Sequence, residues 1–234
     1  MTPSKAVFYV MPPTRPVSLD LPPQLASWDR HDAPAQHRLT AFVDHVYALI
    51  GDQLCRLPDP LGLQLEVGLP VGQALLDQRD LDNYLFPLAS RLRRRSGRTF
   101  AMVSGTKRHA SRSSVQVATA SVAFAAEPLY SLRTSASHTS ERYKQQIYDQ
   151  LRGTSPLPAG AVELDLSFTV GSGRTWLNLW KPTIDALGPL LGQDDPKRHW
   201  HPRDGRITRL GLHSQVDAAL GYDVLIAVRA APVA

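Results

Sequence analysis

The segment Arg79-Asp80-Leu81-Asp82-Asn83 contains two carboxylates at positions i and i+2, with one leucine between them. In an extended chain, residues i and i+2 point the same way, so Asp80 and Asp82 bring two negative charges side by side. Repulsion between charges about 4 Å apart costs roughly 4 kcal/mol near a protein surface. A divalent cation relieves that repulsion, and Mg²⁺ or Mn²⁺ together with a substrate phosphate suits such an oxygen-rich pair. The alternative is a helix N-cap, a position that Asp and Asn both favour.

A second group of metal-capable side chains lies near the C-terminal end of the chain. It consists of Asp194, Asp195, His199, His201 and Asp204. Imidazole and carboxylate ligands would suit a transition metal. The surrounding Pro, Lys, Arg and Gly residues favour an exposed loop instead, so this interpretation is the weaker of the two.

The basic residues are concentrated in one part of the chain. Lys and Arg total 26 against 21 Asp and Glu, which gives a formal net charge of +5. No acidic residue occurs between Asp82 and Glu127. The basic side chains of that stretch, here called the cationic strip, are Arg91, Arg93, Arg94, Arg95, Arg98, Lys107, Arg108 and Arg112. Because guanidinium groups fit phosphate oxygens, the strip predicts contact with nucleic acid, whereas the alternative is a solvated face.

Composition excludes several classes of protein. A single cysteine, Cys55, excludes an internal disulfide framework and a multi-thiolate zinc site. No apolar run approaches the ~20 residues of a membrane span. The first residues also lack the apolar core of a secretory signal. We therefore expect a cytoplasmic protein with no membrane partner.

Hydrophobic periodicity predicts alternating helices and strands. The predicted helices are His37–Leu54, Leu81–Leu92, Ser140–Leu151 and Trp180–Leu191. The predicted strands are Ala6–Met11, Leu61–Leu69, Val115–Phe124, Val162–Val170, Ile207–His213 and Val224–Val228.

The second half of the chain repeats the order of the first. The first helix of each half ends in Asp-Gln-Leu, at residues 52–54 and 149–151, and a Leu-Pro pair follows each. An Arg-x-x-x-Asn element then precedes the second helix, at Arg79–Asn83 and at Arg174–Asn178. Such a repeat indicates a tandem duplication. We predict an α+β fold with one half at 1–125, a linker at 126–137 and a second half at 138–234, and we expect a pseudo-twofold dimer within one chain that needs no second copy.

This order of elements around Arg-Asp-Leu-Asp-Asn resembles the RusA family of Holliday-junction resolvases, small homodimeric enzymes that cut four-way DNA junctions. The resemblance covers most of each half, although its specific motif is short. It implies that Asp80 and Asp82 bind a catalytic Mg²⁺ ion. The family also has a lysine on the following helix and a later aspartate, which correspond here to Lys181 and Asp204 of the second half.

Neither half carries the complete set that the resemblance implies. The first half has Phe86 in place of the lysine, and the second half has Thr175 and Leu177 in place of the two aspartates. Two arrangements are therefore open. The half-sites either converge on one composite site or lie apart, and Leu177 favours the second arrangement because its side chain cannot coordinate a metal.

Two functions follow from these patterns. The first is a RusA-like, Mg²⁺- or Mn²⁺-dependent endonuclease that acts on branched or duplex DNA through Asp80, Asp82, Lys181 and Asp204. The second is a catalytically inactive nucleic-acid-binding or scaffold protein that uses the cationic strip. The loss of motif residues from each half favours the second function slightly.

Overall fold

The computed structural model describes residues 6–26, 33–77, 79–123, 127–195 and 197–233, and they form a mixed α+β structure. The helices are α1 (Pro34–Arg56), α2 (Leu81–Ser96), α3 (Glu141–Leu151), α4 (Trp180–Asp185) and α5 (Gly188–Leu191). The strands are β1 (Tyr9–Val10), β2 (Val17–Leu19), β3 (Leu61–Leu69), β4 (Phe100–His109), β5 (Ser113–Thr119), β6 (Ser121–Val122), β7 (Tyr130–Thr134), β8 (Val162–Val170), β9 (Ile207–Val216) and β10 (Val224–Pro232). Within the described ranges, no helix has the length and apolar character that a membrane span requires.

One eight-stranded sheet unites strands from both halves of the chain in the order β2-β5-β3-β4-β9-β8-β10-β7. The pairs β3–β4 and β8–β9 are parallel, and each is joined through helices that lie between its two strands in the chain. Both parallel pairings shift register after their first residue, at Leu61 and at Val162. The central strands β4 and β9 are antiparallel to each other.

The sheet packs against the helices through one continuous core. In β3, Leu63, Leu65 and Val67 are buried with apolar residues of α1 and α2, whereas the intervening Gln64 and Glu66 are only half-buried. This alternation is the one that the sequence predicts for a strand with one face on the core.

Most of the predicted elements are confirmed, with shifts at their ends. Helix α2 continues through Pro87, and the Asn83 carbonyl that Pro87 cannot engage accepts a hydrogen bond from the Ala26 amide at 2.7 Å. Helix α3 begins after Ser140, whose hydroxyl caps it by accepting from the Arg142 amide at 3.2 Å.

Other predictions about the elements were wrong. The helix predicted over Trp180–Leu191 is divided into α4 and α5, because Pro189 in the first turn of α5 cannot continue the preceding helix. The strand predicted over Ala6–Met11 is reduced to the two residues of β1. The strand predicted over Val115–Phe124 is divided between β5 and β6, and Phe124 lies outside the described residues.

Three strands lie where no strand was predicted. Strand β2 forms one edge of the sheet, and β7 forms the other edge within the range 126–137 that the sequence assigned to a linker. Residue 126 of that range lies outside the described residues. The third is β4, a central strand that passes through the cationic strip.

Candidate functional site

The N-terminus of α2 positions the carboxylate pair. Asp80 is the residue that precedes the helix, yet its side chain makes no capping hydrogen bond to the backbone. Its Oδ2 instead accepts from Asn83 Nδ2 at 3.1 Å, which orients the carboxylate. Asp82 lies in the first turn and is 3% exposed. The N-cap interpretation therefore accounts for the position of Asp80 but leaves its carboxylate available for another task.

The second half of the chain brings Asp204 to this pair. Asp204 opens a short 3-10 turn that leads directly into β9. Ligand oxygen atoms of Asp80, Asp82 and Asp204 all lie within 4.8 Å of one another. A single ion with ligand bonds of ~2.0–2.6 Å can span such a separation. Asp204 of the second half thus lies beside the two aspartates of the first half, whereas the arrangement that Leu177 favoured would place Asp204 apart from them.

Lys181 of α4 lies among the same carboxylates. Its Nζ is 2.9 Å from Asp204 Oδ2, 3.1 Å from Asp185 Oδ1 and 3.9 Å from Asp82 Oδ2. Asp185 also accepts from Lys144 Nζ at 3.0 Å. The side chain of Lys181 therefore joins an acidic pair from the first half to acidic groups of the second half.

Lys107 contributes a second cation to the site and is buried, although the sequence placed it on a nucleic-acid-binding surface. The residue is 3% exposed, and its Nζ donates to the carbonyl oxygens of Gly205 at 2.6 Å and of Arg79 at 3.3 Å. Arg79 itself has a φ of 60°, a left-handed conformation that is uncommon outside glycine. Lys107 thus ties together the two backbone segments that carry Asp80 and Asp204.

Burial and like charge alter the acidity of these groups. Burial, aided by the nearby carboxylates, raises the pKa of Asp82 to about 7 against the opposing effect of Lys181. Burial and the Asp204 carboxylate likewise raise the pKa of Asp80. Burial opposes the charged form of Lys181, but the surrounding carboxylates outweigh it and raise the pKa of this ammonium group. Burial lowers the pKa of Lys107 despite those same carboxylates.

The site opens to solvent through two adjoining cavities of about 480 and 390 Å³. Asp80 and Asp204 line both cavities, and Lys181 lines the smaller one. A substrate group can therefore reach the acidic cluster from outside.

The corresponding positions of the second Arg-x-x-x-Asn element hold no such cluster. Leu177, in the place of Asp82, is 3% exposed and belongs to the hydrophobic core. Phe86, in the place of Lys181, packs edge-on against Trp180 with ring centroids 6.3 Å apart. Among the residues that the structure describes, the three aspartates are the one group of three or more potential ligands close enough to share an ion, and neither His199 nor His201 belongs to it.

The cationic strip is one block in the sequence but two in the structure. Arg91–Arg98 lie at the C-terminal end of α2 and the start of β4, whereas Lys107–Arg112 lie at the other end of β4. Acidic residues from elsewhere in the chain pair with four of the arginines. These ion pairs are Arg95–Asp44, Arg98–Asp59, Arg108–Glu66 and Arg112–Asp20.

Three arginines of α2 remain clustered on a surface groove. Arg91, Arg94 and Arg95 line a cavity of about 590 Å³ beside α1. Arg91 donates to Thr40 Oγ1 at 2.8 Å and to Gln36 Oε1 at 2.9 Å, so neutral partners hold its guanidinium. Arg93 and Arg94 are exposed.

Sequence reasoning identified Asp80, Asp82, Lys181 and Asp204 but missed the contributions of Lys107 and Asp185 to the same site. Asp185 lies four residues after Lys181, a spacing at which helical side chains meet, and that signal was present in the sequence. No comparable signal placed Lys107 there, because its position depends on β4.

No family model matches the chain, and comparisons with curated proteins and with solved structures also give no match.

Proposed function

We propose that the chain is a tandem duplication in which two RusA-like halves form an internal pseudo-twofold dimer. In support, the strand order is the same from either edge if β2, β5, β3 and β4 correspond to β7, β10, β8 and β9. Val103 lies opposite Leu212 and Gly105 lies opposite Leu210 in the central pair. A twofold axis between these two pairs would exchange β4 with β9.

For the function, we propose a Mg²⁺-dependent endonuclease that acts on branched DNA. The observation that carries this proposal is the convergence of three carboxylates, with ligand atoms within 4.8 Å, from two distant parts of the chain. Oxygen ligands are those that Mg²⁺ and Mn²⁺ prefer. The donor set of Asp80, Asp82 and Asp204 therefore fits such an ion.

The carboxylates of the site outnumber its ammonium groups. Four carboxylates, including that of Asp185, are in contact with or close to three ammonium groups, those of Lys107, Lys144 and Lys181, and the carboxylate of Asp77 also acts on Lys107. This excess of carboxylates favours the binding of a divalent cation.

The residues of this chain would divide the work of phosphodiester hydrolysis. Asp80, Asp82 and Asp204 would hold the ion, and the ion would supply polarisation of the phosphodiester and a lower pKa for a water molecule. Lys181 holds the carboxylates at fixed separations and offsets their repulsion. Lys107 fixes the turn that carries Asp204 by donating to the Gly205 carbonyl.

The arginines at the C-terminal end of α2 would contact phosphates outside the site. At 1.5 Å per residue, Arg94 lies about 18 Å along the helix from Asp82. A nucleic-acid backbone bound at the site would have to follow α2 over this distance to reach the groove lined by Arg91, Arg94 and Arg95. Such contacts make affinity fall with salt, by about 0.9 logarithmic units per tenfold salt increase for each phosphate neutralised.

The test is a cleavage assay on labelled four-way junctions with Mg²⁺, with Mn²⁺ and with EDTA. We expect cleavage with either ion and none with EDTA. Replacing Asp82 with Asn removes one charged ligand while keeping the side-chain shape, so D82N should reduce the cleavage rate by at least about 1,000-fold. Junction binding in EDTA, measured by gel shift, should stay within about threefold of the wild type.

Asp149→Asn serves as the matched control, because Asp149 is an exposed residue of α3 outside the cluster. D149N should cleave as the wild type does. Equal cleavage by D82N and wild type would refute the assignment of the site. Junction binding without cleavage under any divalent ion would favour the inactive nucleic-acid-binding protein instead.

A further inference from the structure

The second Arg-x-x-x-Asn element opens onto a cavity of its own, of about 370 Å³. Its polar lining includes Arg93, Arg174, Thr99, Thr175 and Ser214. Hydroxyl and guanidinium groups are donors, so this lining differs in kind from the carboxylate lining of the acidic cluster.

Under the proposed duplication, this cavity is the counterpart of the one at the acidic cluster. Thr175 occupies the motif position of Asp80, and both residues line their respective cavities. Thr99 directly precedes β4 and lines the second cavity, and Arg206 directly precedes β9 and lines the cavity at the acidic cluster. Two losses, at Thr175 and Leu177, leave this second location without the carboxylates that could hold a cation.

The lining has fewer carboxylates than that of its counterpart, because it contains Asp59 alone where the larger cavity at the acidic cluster contains four aspartates, and each lining contains two arginines. Within the described ranges, neither Arg93 nor Arg174 is in an ion pair, although Arg174 donates to the Ala136 carbonyl at 3.0 Å. The acidic residue of the lining, Asp59, pairs with Arg98 at 3.0 Å. The cavity therefore presents two guanidinium groups whose charge no carboxylate of the lining offsets.

We propose that Arg93 and Arg174 of this cavity bind two backbone phosphates of a second DNA strand while the acidic cluster cuts the first, an inference that rests on the proposed function. The two locations lie at opposite ends of the central strands. Lys107 marks the acidic cluster and Phe100 marks the second cavity, and seven residues of strand separate them by about 23 Å. The duplicated fold would thus use one copy of the site for cleavage and the other for positioning.

The test measures binding of a four-way junction in EDTA, so it does not depend on cleavage. The double variant R93A/R174A should bind at least about tenfold more weakly than the wild type. Its slope of log affinity against log salt should fall by about 1.8, because two phosphate contacts are lost. R15A/R56A is the matched control: it removes two exposed arginines that do not line the cavity, and it should change affinity by less than about threefold.

Because Arg174 also holds the Ala136 carbonyl, a second variant separates binding from folding. Arg93→Ala alone removes an exposed side chain and should lower the salt slope by about 0.9 with the thermal midpoint unchanged. An affinity and slope equal to those of the control in both variants would overturn the proposal. Reduced affinity in R93A/R174A would support phosphate binding by this cavity even if the wild-type protein never cleaves a junction. Loss of cleavage in D82N tests the acidic cluster alone.

Discussion

Asp82 carries the largest electrostatic cost of any carboxylate in the candidate site. It is 3% exposed and close to other acidic groups, and Lys181, at 3.9 Å, compensates only part of that cost. A buried, ionised carboxylate that a neighbouring cation does not fully offset destabilises the folded chain. Residues that bind metal commonly carry such a penalty until the ion arrives.

This penalty predicts that Asp82→Asn stabilises the metal-free protein while it abolishes cleavage. The pKa of Asp82 is about 7 in the folded chain against 3.8 ordinarily, so the folded state binds the proton more tightly. The wild type should therefore lose stability as pH rises from about 4 through 7. One pKa unit corresponds to 1.36 kcal/mol. At pH 8, the free energy of unfolding of D82N should therefore exceed that of the wild type by up to about 4 kcal/mol.

Urea denaturation in EDTA at pH 4.5 and pH 8 checks this prediction. The difference in free energy of unfolding between D82N and the wild type should be small at pH 4.5, where the Asp82 carboxyl group of the folded wild type is protonated. D149N should show no gain in stability at either pH, because its carboxylate is exposed. A D82N protein less stable than the wild type at pH 8 would contradict the prediction.

At the level of elements, one arginine in each half anchors the chain that leads into the parallel strands. Arg98 donates to the carbonyl oxygens of Leu54, Cys55 and Leu57, which lie at the end of α1 and just beyond it. Arg206 donates in a similar way to the carbonyl oxygens of Leu157, Pro158, Gly160 and Leu191. Both guanidinium groups thereby satisfy carbonyl oxygens that regular secondary structure leaves unpaired.

Arg98 therefore belongs to the framework of the first half rather than to its phosphate contacts. Arg98→Ala should lower the free energy of unfolding by about 2–3 kcal/mol, because several charge-assisted hydrogen bonds are lost together. Junction affinity in EDTA should stay within about twofold of the wild type at a temperature where the variant is folded. Thermal denaturation and a gel shift measure the two effects, and R56A, which removes an exposed arginine at the end of α1, is the control.

For the whole molecule, the proposed function has a direct consequence for the products, because the described residues contain one acidic cluster with three potential ligands. Under the proposed duplication, the counterpart of that cluster has Leu177 in place of Asp82, and this buried apolar side chain cannot bind a metal. The candidate site also needs no partner copy, since Asp82 and Asp204 belong to one chain.

We therefore expect this protein to nick a four-way junction rather than resolve it. Denaturing gels should show one cut strand per binding event, while native gels should show the four-way structure persisting after the first cut. At saturating substrate, the cleavage rate per chain should not change with protein concentration. Simultaneous paired cuts, or a rate that rises with the square of protein concentration, would contradict a single site per chain.

Local sequence predicted the elements whose side chains alternate or recur without interruption. The alternation of Leu63, Leu65 and Val67 placed β3 correctly, and the Arg-Asp-Leu-Asp-Asn motif placed the acidic pair at the start of α2. The sequence did not predict β4, for two reasons. The register of β4 against β3 shifts after Leu61, which breaks the alternation of buried and exposed side chains in β4. The last three residues of β4 are also basic and resemble a solvated loop. Edge strands β2 and β7 are too short for their alternation to be distinctive.

The sequence by itself determined which groups can do chemistry: two aspartates in one half, a lysine and a later aspartate in the other, and a concentration of arginines. Only the tertiary structure decided that these groups meet, because the antiparallel pairing of β4 with β9 brings the end of β4 against the start of β9. It also decided that the arginines divide between ion pairs and open grooves, since their counter-charges come from segments distant in the chain. Contacts between residues far apart in sequence depend on strand register, and no local pattern of side chains specifies the partner of a strand.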